Sequence, residues 1–448
     1  MARLAILILF AASALAADFK AGVARVDITP STPIWLSGYA SRKHPSEGVL
    51  HPLWAKALAI EDSKRNRVVI VTTDLIGLPR PISELVAARV QKEYGLDRSQ
   101  LLLNSSHTHT GPLVKANLEL MFDLTPDDKR TLEAYSQKLT DNLVSVAGAA
   151  LGKLAPANIA FGQGQAGFAI NRREPAGGGM RIGVNTEGPV DHSVPVLKVT
   201  AADGSLMAVL FGYACHNTTL TGEFYKISGD YAGFAQIEVE KANPGATAMF
   251  LMLCGADQNP NPRSSLELAQ QHGNTLAASV GAVLSSKVQR VKGPIRAAFQ
   301  IVEPEFQPHT RETFERLLTA SNPVQVRNAK MMLRAYDDGR PVRRTPYPVQ
   351  AIRFGKSLTL VALGGEVVVD YALRIKREYP KENIVVAGYS NDVMCYIPSR
   401  RILKEGGYEA VDSMIYYGQP GPFTEEVEDT IFGTIHQVMS RVGRKAPR

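Results

Sequence analysis

Two histidines at alternate positions, His107 and His109, are the residues of this chain best suited to do chemistry. They follow the apolar run 101–103, and Gly111 and Pro112 come directly after them, which predicts a strand that ends in a loop. Because residues i and i+2 of an extended segment face the same side, both imidazoles would look into one space. Such a pair indicates a metal site or a proton-transfer site. The alternative is a polar loop in which neighbouring hydroxyl groups hydrogen-bond both rings.

Other predicted strands end in the same way. The apolar runs 207–213 and 358–363 lead into His216 and Glu366, the latter after two glycines. Taken alone, Glu366 is equally explained as a helix cap, because negative charge is favourable at a helix N-terminus. The recurrence favours a site instead. The histidine pair, His216 and Glu366 supply the nitrogen and oxygen ligands of one catalytic Zn²⁺ per chain, with a position left open for water.

The elements that must position these residues are strands and helices in alternation. Apolar runs predict strands at 68–72, 100–103, 158–161, 194–199, 207–213, 248–254, 297–302, 349–354, 358–363 and 383–387. Helical periodicity predicts helices at 82–94, 127–151, 230–242, 266–288, 311–337, 367–378 and 425–442. Several of the strands are apolar on both faces, which fits burial between layers. The alternation predicts an α/β fold, with a mixed β-sheet core layered with α-helices.

The sequence predicts a signal peptide followed by one domain. Residues 1–16 have the charged start, the apolar run and the small-residue cleavage site of a secretory signal peptide. We therefore expect a secreted or periplasmic protein. No linker rich in proline, glycine or serine divides the rest, so residues 17–448 are predicted to form a single large catalytic domain. No apolar run is long enough for a transmembrane segment.

The amino-acid composition limits the classes of binding partner expected for this chain. The formal net charge is +7, yet no long run of lysine and arginine is present, so no nucleic-acid partner is expected. Short basic clusters predict solvated faces, or contacts to an anionic substrate or to a membrane surface at the periphery. The three cysteines (Cys215, Cys254 and Cys395) are too few and too odd for a disulfide framework, and we expect buried free thiols.

Several motifs resemble the neutral/alkaline (non-lysosomal) ceramidase family. The most specific matches are SHTHTGP at 106–112 and SGDYAG at 228–233. Weaker matches are ACHNTT at 214–219 and GADQNP at 255–260, and AGVARVDITP at 21–30 is similar to the opening of that family. The motifs occur in the order of the family and are spread over most of the chain.

The resemblance implies a set of zinc ligands. His107, His216 and Glu366 would bind the ion. A tyrosine near the C-terminal end completes the set in that family, and Tyr396 looks like its counterpart, with Tyr389 as the alternative.

The resemblance also implies roles beside the metal. His109 would carry protons rather than bind the ion. Arg172, with Arg173 as the alternative, is similar to the arginine on the substrate side, and Arg172 or the Tyr396 hydroxyl would stabilise an oxyanion. Acceptors for the imidazole N–H groups are expected as well. Candidates are Asp74, Asp230 and Asp257, with helix capping and turn formation as equal alternatives.

The implied activity is zinc-dependent hydrolysis of an amide. The substrate would be lipid-like: ceramide or a related N-acyl compound, cleaved to a fatty acid and an amine. Leu113 and Val114 stand where the family usually carries glycines, and the chain ends without the C-terminal sandwich domain of full-length ceramidases. Both departures favour a smaller or more soluble N-acyl compound. The alternatives are a zinc-dependent hydrolase of another bond, such as an ester, and a non-catalytic secreted binding protein of the same fold.

Overall fold

The computed structural model describes residues 17–381 and 383–444. The predicted signal peptide at 1–16 lies outside the described residues. Within them, none of the helices combines the length and the apolar character needed to cross a membrane.

The strands of the described residues form two large sheets, which make two layers of the molecule, and three small sheets. The strands are β1 Phe19–Asp27, β2 Gly48–Val49, β3 Trp54–Asp62, β4 Arg67–Thr73, β5 Leu101–Ser105, β6 Ala155–Gln165, β7 Ala169–Ala176, β8 Gly179–Asn185, β9 Ser193–Ala201, β10 Leu206–Tyr213, β11 Lys226–Ile227, β12 Thr247–Met252, β13 Gln258–Pro260, β14 Gln289–Arg290, β15 Ile295–Val302, β16 Tyr347–Phe354, β17 Leu358–Leu363, β18 Glu366–Val367, β19 Ile384–Ala387 and β20 Tyr396–Ile397.

Helices cover both outer faces. They are α1 Arg80–Tyr94, α2 Pro126–Leu151, α3 Asp230–Ala242, α4 Leu266–Ser285, α5 Arg311–Leu317, α6 Pro323–Asp337, α7 Val369–Glu378, α8 Arg400–Glu405 and α9 Val427–Arg441. A single π-helical turn, Tyr408–Asp412, follows α8. Residue Thr125 caps α2 with its side chain, as the Thr-Pro sequence indicates.

The larger sheet has nine strands, in the order β12-β10-β9-β6-β1-β3-β4-β5, with β14 paired to β6. Its two outermost pairs, β4–β5 and β10–β12, are parallel and its middle is antiparallel. The second sheet, β15-β16-β17-β19, is mixed as well. The predicted α/β fold with a mixed sheet core is therefore confirmed.

The two sheets pack face to face, with helices outside. One apolar cluster joins residues of the large sheet, such as Ile70 and Leu102, to residues of the second sheet, such as Ile352 and Leu360. Helices α1 to α4 pack on the outer face of the large sheet, and α7 and α9 pack on the second sheet. Because both faces of the inner strands are covered, these strands are apolar throughout.

The predictions of helices and strands were incomplete in two respects. The helix predicted over 311–337 is two helices, α5 and α6, because Asn322 precedes a proline and caps the second helix with its side chain. Strands β1, β3, β7 and β8 were not among the predicted runs. Of these, β3 lies in the middle of the large sheet, and the hairpin β7–β8 carries residues of the site described below.

Candidate metal centre and active site

Short backbone pairings bring the site residues together from distant parts of the chain. A parallel bridge between Thr108 and Asn217 joins the loop after β5 to the loop after β10. The parallel pair β18–β20 sets Glu366 directly beside Tyr396. Strand β7 pairs with β13, and the Arg172 N–H donates to the carbonyl of Asp257 at 2.8 Å. The polar strand ends therefore meet around one space.

Three imidazoles and one carboxylate converge there. Ring nitrogens of His107, His109 and His216 lie within 4.8 Å of one another. The Oε2 atom of Glu366 is 3.0 Å from His107 Nε2 and 3.1 Å from His216 Nε2, and His109 Nε2 is 3.1 Å from His107 Nε2. All four side chains are buried. The sequence placed all four at one site, and the structure brings them together.

The protonation of two of these rings follows from their neighbours. His107 Nδ1 is 2.7 Å from the carbonyl oxygen of Ile76, and His216 Nδ1 is 2.9 Å from that of Gly255. A carbonyl only accepts, so each Nδ1 carries the proton and each Nε2 presents a lone pair. Both lone pairs point at Glu366, whose carboxylate also only accepts. Two ring nitrogens and a carboxylate oxygen that converge in this way fit a metal cation, which would bind them with both Nε2 atoms unprotonated.

His109 differs from the other two rings. Its Nδ1 is buried without a hydrogen-bond partner among the described residues, so no carbonyl fixes its tautomer. Burial, reinforced by the two neighbouring imidazoles, holds the pKa of His109 well below its usual value. Residue Gly38 has φ +93°, and a Cβ there would lie 2.4 Å from His109 Nδ1, so only glycine leaves room for the ring.

The pKa of the Glu366 carboxyl group is shifted in the direction that keeps it ionised. Burial alone would raise the pKa of Glu366, but His107 and His216 together hold it well below its usual value. Burial lowers the pKa of His216 to about 4. At neutral pH His216 is therefore a neutral imidazole and Glu366 an ionised carboxylate, which are the protonation states that bind metal.

Three tyrosines reach the cluster. The Tyr396 hydroxyl lies 3.2 Å from His216 Nε2. The Tyr389 hydroxyl donates to Glu366 Oε2 at 3.3 Å, and its ring lies 4.4 Å from that of His107. Both tyrosines that the sequence offered are thus present. The third, Tyr417, donates to Glu366 Oε1; it follows no predicted strand, and no sequence signal marked it.

The two arginines of β7 share Glu409 but otherwise have different partners. Arg172 donates from Nη2 to the Tyr396 hydroxyl at 3.0 Å and from Nε to Glu409 at 2.7 Å. Arg173 donates to the other oxygen of Glu409, and to Glu405 at 3.0 Å. Arg172 is therefore the arginine at the cluster, and Arg173 lies behind it. Sequence reasoning missed Glu409, which the π-helical turn carries.

The aspartates expected to hold the imidazoles do not contact them. Asp257 accepts from the Val369 N–H at 2.8 Å, Asp74 accepts from the Trp54 N–H at 2.9 Å, and Asp230 accepts from a backbone N–H of the loop before α3. Backbone carbonyls hold the Nδ1 atoms of His107 and His216 instead. The sequence had left this role and local roles equally open, and the structure favours the local roles, because each aspartate accepts from a backbone N–H.

Two further expectations concern apolar residues near the site. Leu113 and Val114 are fully buried and pack into separate apolar clusters, Leu113 beside Ile76 and Val114 beneath α1 and α2. All three cysteines are buried and free, as expected.

Known proteins similar to this chain include several neutral ceramidases. The family model "Neutral/alkaline non-lysosomal ceramidase, N-terminal" matches residues 19–252. The neutral ceramidase of Pseudomonas aeruginosa is 24% identical over an alignment that covers 92% of this chain and 71% of that protein. The neutral ceramidase of Drosophila melanogaster is 27% identical, over 54% of this chain and 35% of that protein, so this chain spans about a third of that relative.

The fold has a solved counterpart. The crystal structure of neutral ceramidase from Pseudomonas aeruginosa superposes on this chain with a TM-score of 0.74 and 20% sequence identity. The superposition covers 96% of this chain and 75% of that one. This likeness concerns the arrangement of the sheets and helices.

Proposed function

The chain belongs to the neutral/alkaline non-lysosomal ceramidase family, and on this premise we propose that it is a secreted, zinc-dependent amidohydrolase. It cleaves the N-acyl amide bond of ceramide or a related N-acyl compound to a fatty acid and an amine. The observation that carries the proposal is the convergence of His107 Nε2 and His216 Nε2 on Glu366 Oε2, at 3.0 and 3.1 Å.

The donor set supports zinc. His107, His216 and Glu366 would hold the ion, and the Tyr396 hydroxyl beside His216 is a fourth ligand within reach. Two imidazoles and a carboxylate are a donor set typical of catalytic zinc. When bound, zinc supplies a Lewis acid for the amide carbonyl and lowers the pKa of a water molecule toward neutrality.

His109 moves the protons. It is neutral because burial lowers its pKa, and its Nε2 faces the other rings, so it can take a proton from the attacking water. The same nitrogen then gives this proton to the leaving amine. The unpartnered Nδ1 supports this role, because no neighbour locks the ring into one tautomer.

Arg172 and Tyr396 stabilise the charge that develops on the carbonyl oxygen. The guanidinium is held on one edge by Glu409, while its Nη2 points at the Tyr396 hydroxyl. Donors that are fixed before the reaction stabilise an oxyanion without reorganising. Tyr389 is oriented by Glu366 and the His107 ring, and it remains the alternative to Tyr396.

The proposal has two further parts. The substrate is a lipid-like amide, and the protein is exported from the cell. The substrate class is supported by family membership, and export is supported by the signal-peptide pattern at 1–16. A peripheral contact with a membrane surface would suit a lipid substrate.

A turnover screen tests the proposal. Purified zinc-loaded protein is offered short- and long-chain ceramides, N-acyl amino acids and esters of the same fatty acids, and the released fatty acid is measured. Release from at least one amide is expected, with loss on chelation and recovery on adding zinc. Turnover of the esters alone would reject amide hydrolysis and favour an esterase. No turnover of any substrate by zinc-loaded protein would favour a binding protein.

A further inference from the structure

Tyr39 forms one wall beside the proton-carrying histidine. Its ring lies 4.9 Å from the ring of His109, and its hydroxyl donates to the carbonyl oxygen of Leu220 at 3.1 Å. The adjacent Gly38 packs against His109 without room for a Cβ. Tyr39 is therefore held in place at the rim of the candidate site.

Arg263 lies against Tyr39, and most of its N–H groups make no hydrogen bond within the described part of the chain. Its Nη2 donates to the Tyr39 hydroxyl at 3.1 Å, and this is its one hydrogen bond among the described residues. Its Nε is buried and has no acceptor. None of the ion pairs found in the described part of the chain includes Arg263. A buried N–H without an acceptor is costly. Arg263 Nε can therefore donate to an acceptor that the chain itself does not provide.

The position of Arg263 is set by the loop after β13. The Ser264 N–H donates to the carbonyl of Thr219 at 2.8 Å, which ties this loop to the segment that follows His216. Four residues before Arg263, the side chain of Asn259 accepts from Arg172 Nη1 at 3.4 Å. The loop therefore runs from the oxyanion side of the site to the rim at Tyr39.

Positive charge exceeds negative charge around Tyr39. The guanidinium carbon of Arg42 lies 5.0 Å from the Tyr39 ring centre, and this arginine donates to backbone carbonyls of Leu36 and Ser37 rather than to a carboxylate. Asp230 is the acidic group that faces Arg263, but it lies beyond ion-pair distance and accepts from backbone N–H groups. Burial raises the pKa of Asp230 to about 6, so at neutral pH this group still supplies one negative charge against the two arginines.

We propose that Arg263, held in place by the Tyr39 hydroxyl, binds an anionic group of the substrate, so that an N-acyl amino acid is preferred over a neutral N-acyl compound. The inference rests on the proposed amide hydrolysis at the same site. An N-acyl amino acid carries its carboxylate one carbon from the amide nitrogen, so the amide and the carboxylate reach the metal cluster and the rim together. A carboxylate accepts charge-assisted hydrogen bonds from a guanidinium, and these are stronger than the bonds that a neutral carbonyl or hydroxyl group accepts.

Binding is tested without turnover. The probes are N-dodecylsulfonyl-glycine and N-dodecylsulfonyl-glycinamide, which differ in charge and contain a sulfonamide in place of the scissile amide. Calorimetry on the zinc-loaded protein is expected to give roughly 10- to 10²-fold tighter binding of the anionic probe, the range of one hydrogen-bonded charge. Equal affinity for the two probes would overturn the proposal.

Variants assign the effect to Arg263. Arg263→Gln is expected to remove most of the preference for the anionic probe, and Arg263→Lys to keep part of it, because the charge remains. The control is Arg65→Gln, in the exposed turn between β3 and β4, and it is expected to bind like the wild type. A preference that survives in Arg263→Gln would overturn the assignment.

Turnover separates this inference from the function on which it rests. N-dodecanoyl-glycine, its glycinamide and a short-chain ceramide are compared by kcat/KM. A higher value for N-dodecanoyl-glycine that falls in Arg263→Gln supports the subsite. Hydrolysis of the neutral amides with equal or greater efficiency refutes the subsite and keeps the amidohydrolase. Selective binding of the anionic probe, without hydrolysis of any amide, keeps the anion subsite but rejects the amidohydrolase and the substrate preference built on it.

Discussion

At the scale of single residues, the hydrogen bonds of the three imidazoles divide their roles. His107 and His216 each commit Nδ1 to a backbone carbonyl and aim Nε2 at Glu366, whereas His109 Nδ1 has no partner within the described chain. A ring with a fixed tautomer suits a metal ligand, and a ring that can hold its proton on either nitrogen suits proton transfer. The predictions at this scale test that division.

Zinc is expected to co-purify at about one ion per chain. His107→Ala and His216→Ala should lose it, because each removes a ligand that the remaining residues cannot replace. Metal analysis of the purified variants measures the loss. His436→Ala, at a histidine paired with Glu378 away from the cluster, is the control and should keep its zinc. Full zinc occupancy in both cluster variants would show that the ligands are assigned wrongly.

His109→Ala should keep the metal and lose activity. Without the proton carrier, kcat is expected to fall by roughly 10²–10⁴-fold. Zinc content and steady-state kinetics on the same preparation decide the outcome. Loss of zinc would make His109 a ligand, and unchanged kcat would leave it a structural residue.

Glu409 is expected to position Arg172. One carboxylate oxygen holds Arg172 and the other holds Arg173, so Glu409→Gln removes the charge and one acceptor but keeps the size. We expect kcat to fall roughly 10-fold or more while KM changes less, because Arg172 acts on the transition state. Glu405→Gln is the matched control, since Glu405 contacts Arg173 but not Arg172. An equal loss in both variants would indicate a structural role.

At the scale of elements, Asn104 joins strands that are far apart in the order of the sheet. Strands β5 and β12 lie at opposite ends of that order, yet Asn104 Oδ1 accepts from the Met252 N–H at 2.8 Å. Its Nδ2 donates to the carbonyls of Met252 and Gly388 at 3.2 and 2.8 Å. The large sheet is therefore curled until its two edges meet, which is why the loops after β5 and β10 can share one metal site.

Replacing Asn104 should destabilise the fold. Asn104→Ala leaves buried N–H and C=O groups of the two edges unpaired, which we expect to cost about 2–4 kcal/mol in the free energy of unfolding. Denaturant unfolding followed by circular dichroism measures it. The control is Asn142→Ala on α2, whose side chain makes no hydrogen bond within the described part of the chain, and it should stay close to the wild type. A change below about 0.5 kcal/mol, the usual scatter of surface substitutions, would contradict the closure.

At the scale of the whole molecule, a buried carboxyl group links the two halves of the chain. Asp392, in the loop after β19, accepts from the Arg80 N–H at the start of α1 at 2.9 Å. Burial raises the pKa of Asp392 to about 7. The folded protein therefore holds a proton on this group at a pH where the unfolded chain has released it.

The sign of the pH dependence follows from that difference. Between the ordinary aspartate pKa and about 7, the folded state binds more protons, so the contribution of Asp392 to stability falls as pH rises. Asp392→Asn should lose less stability than the wild type between about pH 5 and about pH 8, measured by denaturant unfolding. The exposed Asp338→Asn is the control. Equal slopes for wild type and Asp392→Asn would refute the raised pKa.

The sequence alone determined what is local. Alternation of apolar runs with helical periodicity predicted the α/β fold, and the spacing of His107 and His109 predicted a shared space at a strand end. Together with His216 and Glu366, these residues meet in the structure. Such predictions succeed because periodicity and side-chain chemistry are properties of a few neighbouring residues.

Only the tertiary structure decided which groups meet across the chain. Arg172, and not Arg173, reaches Tyr396, and Glu409 lies 237 positions away from the arginine that it holds. Tyr417 joins Glu366, and two loop carbonyls take the place expected for aspartates. These contacts depend on the path of loops around a sheet whose edges meet, and no local pattern encodes that path.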